Sequence, residues 1–339
     1  MIPRRQAAAG EGAAIANGRR RTNGVDDVET LADIAEDYYV NGENQETIAV
    51  RYGVSRSYVS RLLQRARDLG VVEITVHREI QRNRELERAI EAQFNLHRCY
   101  VADCAGDPDL ALRQAGKLAV AILAENLTPE STLALGWGQS VRAMVDALAP
   151  GRLSSARVVQ MFGGFSGARL ETTSWELVAE TARALGAIED RLHAPWIVET
   201  SELARSLVEQ PDIAAVLRHA AEADVAVTGI GAKGRGSSAM LFGTRYLTLS
   251  QIREIDEEGA VGDICGRLFD SEGRACRVPF MSRVIGLDLE AIRRIPMMVG
   301  IAVGHEKAKA ILGALRGGLL DALVTDTGAA RAVLASAWS

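Results

Sequence analysis

The feature that most constrains how this chain can fold is an alternation of two kinds of segment, repeated from about residue 97 onward. Short aliphatic runs at 98–102, 132–136, 157–161, 224–228, 297–303 and 322–325 read as buried strands. Longer stretches with apolar residues three and four apart, at 110–127, 174–185, 213–222 and 306–316, read as helices between them. Parallel strands need a connection long enough to cross back over the sheet, and a helix supplies it while burying its apolar stripe on the strands. The alternation therefore predicts a larger, Rossmann-like α/β domain over 97–339, a mainly parallel sheet with helices on both faces.

The first quarter of the chain has a different period. Leu31, Ile34, Ala35 and Tyr38 repeat at helical spacing, Asn41-Gly42 breaks the helix, and further helices are expected at 45–52 and 56–69, ending at Gly70. In QETIAVRYGVSRSYVSRLLQR, residues 45–65, each special position has a physical reason. Ala49 is small enough for two helices to cross closely. Gly53 allows a sharp turn, Val54 plugs it, and Ser55 is a good N-cap for the following helix. Val59, Leu62 and Leu63 point inward, which leaves Arg56, Ser57, Tyr58, Ser60, Arg61 and Arg65 outward. The reading is an all-α, winged helix-turn-helix domain over 28–80, with 71–76 as a β-like wing. A disordered arm over 1–27, bearing Arg19-Arg20-Arg21, precedes it, and a linker or oligomerisation helix over 81–96 follows.

Charge must be read locally, because 39 Lys and Arg stand against 44 Asp and Glu and the chain carries a formal charge of −5. Between Gln45 and Gly70 five arginines face two acids, Glu46 and Asp68, a balance of +3. Arginine reads guanine edges through two parallel hydrogen bonds, and hydroxyls suit phosphates. The expected partner of this face is double-stranded operator DNA. Arg56, Ser57 and Tyr58 are placed near bases, Gln45 and Arg61 near the backbone, with Ser55, Ser60 and Arg65 among the candidate contacts.

Several classes are set aside. The longest apolar runs are too short to span a bilayer, and no secretory pattern follows the N-terminal arginines, so no membrane partner and a cytoplasmic location are expected. Cys99, Cys104, Cys265 and Cys276 form no C-x-x-C pair and read as buried free thiols. No metal, cofactor or catalytic residue is expected. Gly229-x-Gly231-x-x-Gly234 formally fits a dinucleotide fingerprint, but 235–238 make a poor helix start. Gly138-x-Ser140 continues to Arg142, which breaks a nucleophile elbow.

What remains is a set of Gly-rich turns at the carboxyl ends of strands, where open α/β sheets bind ligands. Gly138, Gln139 and Ser140 follow the 132–136 strand, Gly163 and Gly164 follow 157–161, and Gly229 and Gly231 follow 224–228. Backbone amides and helix starts there suit a small sugar, a polyol or a sugar phosphate. Asp263 offers a carboxylate to sugar hydroxyls. Lys307, among amides at a helix start, makes an anion pocket, with Lys309 as its dispensable neighbour. His305 is read as a helix-start hydrogen-bonding residue, and Trp137 as a residue that stacks or packs.

Taken together these motifs resemble the SorC family of bacterial sugar-responsive regulators, from about residue 32 to 334. The resemblance is carried by Tyr38-Tyr39, the Gln45–Leu63 segment and Gly70-Val71-Val72-Glu73-Ile74. It continues through Gly136-Trp137-Gly138, Gly163-Gly164, Gly229-Ile230-Gly231 and Ala260-Val261-Gly262-Asp263-Ile264. Asp270 with Gly273, and Leu315-Arg316-Gly317-Gly318-Leu319, complete it. Ser140 stands where the family often has Thr. The resemblance implies an effector domain like a sugar-phosphate isomerase or deaminase that serves as a sensor, ligand contacts at Asp263 and Lys307, and self-association, typically as a homotetramer. The alternative left open is an isomerase- or deaminase-like enzyme carrying a DNA-binding module.

Overall fold

The computed structural model describes residues 27–72, 80–165, 173–233, 241–242 and 246–337. The arm expected at 1–27 except Asp27, wing residues 73–76, Ser166-Gly167 and the 234–238 stretch lie outside the described residues. The chain divides into two compact units, Met1–Arg78 and Glu79–Ser339.

The first unit holds α1 (Val28–Tyr39), α2 (Gln45–Tyr52) and α3 (Arg56–Asp68). Each helix start is satisfied by a side chain. Asp27 accepts from Thr30 N, Asn44 from Glu46 N and Thr47 N, and Ser55 from Tyr58 N. Gly53, at φ +66°, ends α2 in the turn that the sequence expects. The apolar stripes of all three helices meet in one small core around Leu31, Ile34, Ile48, Val59, Leu62 and Leu63. Val71 and Val72, expected to open the wing strand, instead fold back on α3. Both amides donate to the carbonyl of Ala66, because the last carbonyls of a helix need donors that the helix itself does not supply.

The second unit is built on a seven-stranded sheet. In chain order come α4 (Arg84–Phe94), β1 (Arg98–Ala102), α5 (Pro108–Asn126), β2 (Thr132–Leu135), α6 (Gln139–Ala147), β3 (Arg157–Gln160) and α7 (Ser174–Leu185). Next are β4 (Ile188–Asp190), α8 (Ser201–Val208), α9 (Pro211–Ala221), β5 (Val225–Gly229), β6 (Gly231–Ala232), α10 (Leu249–Glu257), β7 (Gly262–Ile264) and β8 (Arg267–Phe269). The chain closes with α11 (Leu289–Arg293), β9 (Met297–Ile301), α12 (Ala308–Arg316), β10 (Ala322–Asp326) and α13 (Thr327–Ala337). The sheet order is β1-β10-β9-β5-β2-β3-β4, with every pair parallel. Because side chains alternate along a strand, Leu133 and Val225 face one apolar layer with α5 and α6, and Ala134 and Ala226 face another with α9 and α12.

All six expected strands are present within a few residues. The sequence reading missed β4, α8, α10, α11 and α13, and a small antiparallel sheet in the order β6-β7-β8. Strands of two or three residues are too short to show a period. Helix α4, near the expected linker helix, belongs to this unit: Ile90 is fully buried and Glu87 nearly so.

Candidate functional site

In the first unit, α3 separates its two faces cleanly. Val59, Leu62, Leu63 and Ala66 are buried, while Arg56, Ser57, Ser60, Arg61 and Arg65 are exposed. Ser55 is exposed and also caps the helix; its hydroxyl lies 3.0 Å from that of Ser57. Tyr58 is half-buried, and the Arg61 guanidinium sits 5.1 Å from its ring centre. Gln45 is half-buried at the start of α2. Arg51 is held apart from this face by Asp37 and Glu43, at 2.6 and 2.5 Å. The result is a convex face of guanidinium and hydroxyl groups on one rigid helix.

In the second unit, the carboxyl ends of six adjacent strands, β1 through β3 in sheet order, open on one cavity of about 980 Å³. Its position follows from topology. From β2 the chain winds outward through α6 to β3, whereas from β5 it proceeds toward β9 on the other side. Connections that diverge from neighbouring strands leave a crevice between them.

The cavity has a polar and an aromatic side. Gly138, at φ +124°, precedes α6, and no side chain caps the first amides of that helix beside Gln139 and Ser140, an arrangement that suits an anion. Lys307 is half-buried and donates from Nζ to the carbonyl of Ile230 at 3.0 Å. Burial lowers its pKa below the ordinary lysine value, an effect that the carboxylates of Asp263 and Glu306 oppose. Asp263 lies on β7 opposite Gly231, and its Oδ2 accepts from Gly266 N at 3.1 Å. The lining also holds Trp137, Trp196 and Phe165, and each tryptophan ring centre lies 4.4 Å from that of Phe165. Phe162 completes this wall, 5.7 Å from Phe165. Flat apolar rings suit the C–H face of a sugar, and the polar side suits hydroxyl or anionic groups.

Of the residues expected to bind a ligand, Gly138, Gln139, Ser140, Gly229, Gly231, Asp263 and Lys307 line this one cavity. Gly163 and Gly164 do not line it. A side chain on Gly163 would strike the carbonyl of Pro195 at 2.2 Å, and one on Gly164 the Trp175 ring at 2.6 Å. Those glycines are demanded by packing, and their turn reaches the cavity through Phe162 and Phe165 instead. His305 lines the mouth with an 85% exposed side chain, and Lys309 is exposed outside it.

Sequence reasoning missed two stretches. One is the turn after β1, including Asp103, Asp107 and Asp109. The other is the start of α13, where Asp326 fixes two turns at once: Oδ1 accepts from Gly304 N at 2.7 Å and Oδ2 from Gly328 N at 3.1 Å. Arg331 extends this side. Both stretches directly follow correctly read strands, and that position was the available signal. With these carboxylates the lining carries more acid than base, which favours donors such as sugar hydroxyls over much of the wall. Cys104 and Cys265 also line the cavity; all four cysteines are free and buried. Burial raises the Cys265 thiol to about 12 and that of Cys104 to about 11, so neither is a thiolate at neutral pH.

Comparison with known proteins places this architecture. Residues 78–335 match the family described as "Putative sugar-binding domain". The transcriptional regulator LsrR of Escherichia coli K12 is 33% identical over 316 residues, covering 92% of this chain and 96% of LsrR. The full-length sorbitol operon regulator SorC of Klebsiella pneumoniae superposes with a TM-score of 0.70 at 26% identity, covering 91% of this chain and 99% of SorC. A sugar-binding domain of a transcriptional repressor from Vibrio fischeri superposes equally, TM-score 0.70, at 29% identity, over 76% of this chain and all of that one.

Proposed function

The chain belongs to the SorC-type family of transcriptional regulators that carry a sugar-binding domain, and from that premise we propose that α3 reads operator DNA while the cavity senses a sugar, polyol or sugar phosphate. The observation that carries the sensing half is the cavity itself, which joins an aromatic wall to a half-buried ammonium and the uncapped start of α6. The match to a sugar-binding domain and the likeness to a sorbitol operon regulator make carbohydrate or polyol catabolism the natural process to be controlled.

In this reading α2 and α3 form a helix-turn-helix. Arg56, Ser57 and Tyr58 meet base edges; Gln45, Ser55, Ser60, Arg61 and Arg65 meet the sugar–phosphate backbone. The second unit follows the sugar-phosphate isomerase and deaminase plan but binds without turnover. Gly138, Gln139, Ser140, Gly229 and Gly231 offer the ligand backbone and side-chain donors, Asp263 accepts from its hydroxyls, and Lys307 meets an anionic group. The protein works in the cytoplasm as a homo-oligomer, a tetramer by family analogy.

Three measurements test this. A thermal-shift screen of sugars, polyols and their phosphates is expected to find a compound that stabilises the wild type by mass action and fails to stabilise Lys307→Ala. Gel-shift titration against the chain's own upstream region is expected to show specific binding that Arg56→Ala and Arg61→Ala weaken. Unchanged operator binding in both arginine variants overturns the α3 assignment. Measurable turnover of a pentose or hexose phosphate, lost in Asp263→Asn, replaces the sensor by an enzyme.

A further inference from the structure

The first residues of the second unit are more than a tether. Ile80 packs on the apolar layer under α5, and residues 81–83 run antiparallel along the free edge of β1. Asn83 N donates to the carbonyl of Val101 at 2.9 Å, Asp103 N donates to the carbonyl of Gln81 at 2.8 Å, and Arg82 bridges Ala102. The short strap thus acts as an eighth strand, and it is locked there by charge. Arg82 donates two hydrogen bonds to Glu87, at 2.7 and 2.9 Å, with only 14% and 5% of the two side chains exposed. Its guanidinium lies 3.6 Å from the Tyr100 ring centre, and Glu87 Oε1 also accepts from Val101 N at 3.0 Å. An ion pair this buried is held by geometry, and removing one partner leaves an uncompensated charge.

The same strand end reaches the ligand cavity. Asp103, whose amide holds Gln81, lines the cavity, as do the next four residues. Ala105 and Gly106 are consecutive left-handed residues, at φ +49° and +85°. An alanine in that region is strained, so the turn holds its shape only through the contacts around it. Asp103 therefore lines the cavity and holds the strap at once.

We infer that residues 80–83 are the relay by which occupancy of the cavity reaches the DNA-reading unit that precedes them in the chain. A ligand drawn against Asp103 and the 104–107 turn changes the hold of Asp103 N on Gln81, and with it the docking of the strap on β1. The relay rests on the proposed sensor function and adds the physical path to it. Such a path needs an element whose equilibrium both sites bias, and the 103–107 turn is that element.

Coupling between two binding sites is reciprocal, so operator DNA serves as the probe without a known effector. The experiment is amide hydrogen exchange on the full chain, with and without a saturating duplex from its own upstream region. In the wild type, the duplex is expected to change exchange at the amides of Asn83, Val101, Asp103 and Asp107 by about threefold or more. In the double variant Arg82→Met/Glu87→Gln, which keeps an apolar stack on Tyr100 without a stranded charge, the duplex still binds but Asp103 and Asp107 no longer respond. Arg82→Lys, which retains the charge and loses the fork, is the gentler version and gives a reduced response. A wild type whose 101–107 amides ignore bound duplex overturns the relay, as does a double variant that responds like the wild type. A duplex that does not bind at all refutes the DNA-reading assignment instead, so the two failures are distinct.

Discussion

The two units offer opposite kinds of surface. In the first unit the candidate face is convex: one helix buries Val59, Leu62 and Leu63 and thereby presents Arg56, Ser57 and Arg61. In the α/β unit it is concave, a cavity whose walls include Asp103, Trp137, Trp196, Asp263 and Lys307. A convex site needs a single rigid helix and a small core beneath it. A concave site needs many loops held at fixed distances, and hence a much larger scaffold.

The strongest way to break this contrast is Leu62→Ala. Leu62 is 2% exposed in a core with few members, and its truncation is expected to remove about 3 kcal/mol from the first unit. The four tryptophans, at 137, 175, 196 and 338, all lie in the second unit, so their fluorescence reports that unit alone. Denaturant unfolding should show loss of helix and of operator binding well before an unmoved tryptophan transition. A tryptophan transition that shifts with the mutation means that the units unfold as one.

Gly266→Ala tests the concave site by the same logic. Gly266 has φ +78°, and a Cβ there would lie 2.3 Å from the Trp196 ring. The ring must shift, at a stability loss of roughly 2 kcal/mol, and the aromatic wall with it. A stabilising compound from the sugar screen should bind about tenfold more weakly, a loss of about 1.4 kcal/mol. Operator binding without that compound should persist. Ligand affinity equal to wild type places the sugar away from this wall.

Arg56→Ala sharpens the contrast from the other side. Losing one bidentate base contact is expected to weaken specific operator binding by about 1–3 kcal/mol, roughly ten- to a hundredfold, with ligand-induced thermal shifts unchanged. Equal weakening on unrelated DNA reassigns Arg56 to the phosphate backbone.

The smallest effect is expected at Lys307. Its folded pKa lies below the ordinary value of 10.5 because burial disfavours the charged form. The handicap to stability is present at neutral pH and disappears as pH rises through that ordinary value. Lys307→Met should therefore raise the apo melting temperature by about 2 °C at pH 7, with the gain shrinking toward pH 10, while losing response to anionic ligands. A fall in melting temperature at pH 7 shows that the bond to Ile230 outweighs desolvation.

The strand ends were legible because strands buried on both faces read as apolar runs and their following turns carry glycine. That was enough to gather Gly138, Ser140 and Gly229 as candidates; Asp263 and Lys307 joined them on their charge and on the family resemblance. It gathered Gly163 and Gly164 as well, which do not line the cavity and where an added side chain would strike Pro195 and Trp175. A sequence shows that a side chain must be absent but not what occupies the space. The aromatic wall was hidden for a related reason. Trp196 sits in a stretch with no helical or strand period, and its partner Phe165 is supplied by a different strand end.

By itself, then, the sequence determined the local terms. Asp27, Asn44 and Ser55 set where helices begin, the 3.6-residue period sets which face of α3 is buried, and aliphatic runs set which segments become strands. Tertiary structure decided what the strands bring together. Parallel pairing of β1 with β10 puts Ala102 opposite Asp326, and Thr327 bonds to the carbonyl of Ala102 across 225 residues of chain. Residues on the 103–109 turn and the start of α13 thereby share one cavity. Strand order is fixed by the packing of whole layers, a free energy spread over many distant contacts, so no local window of the sequence carries it.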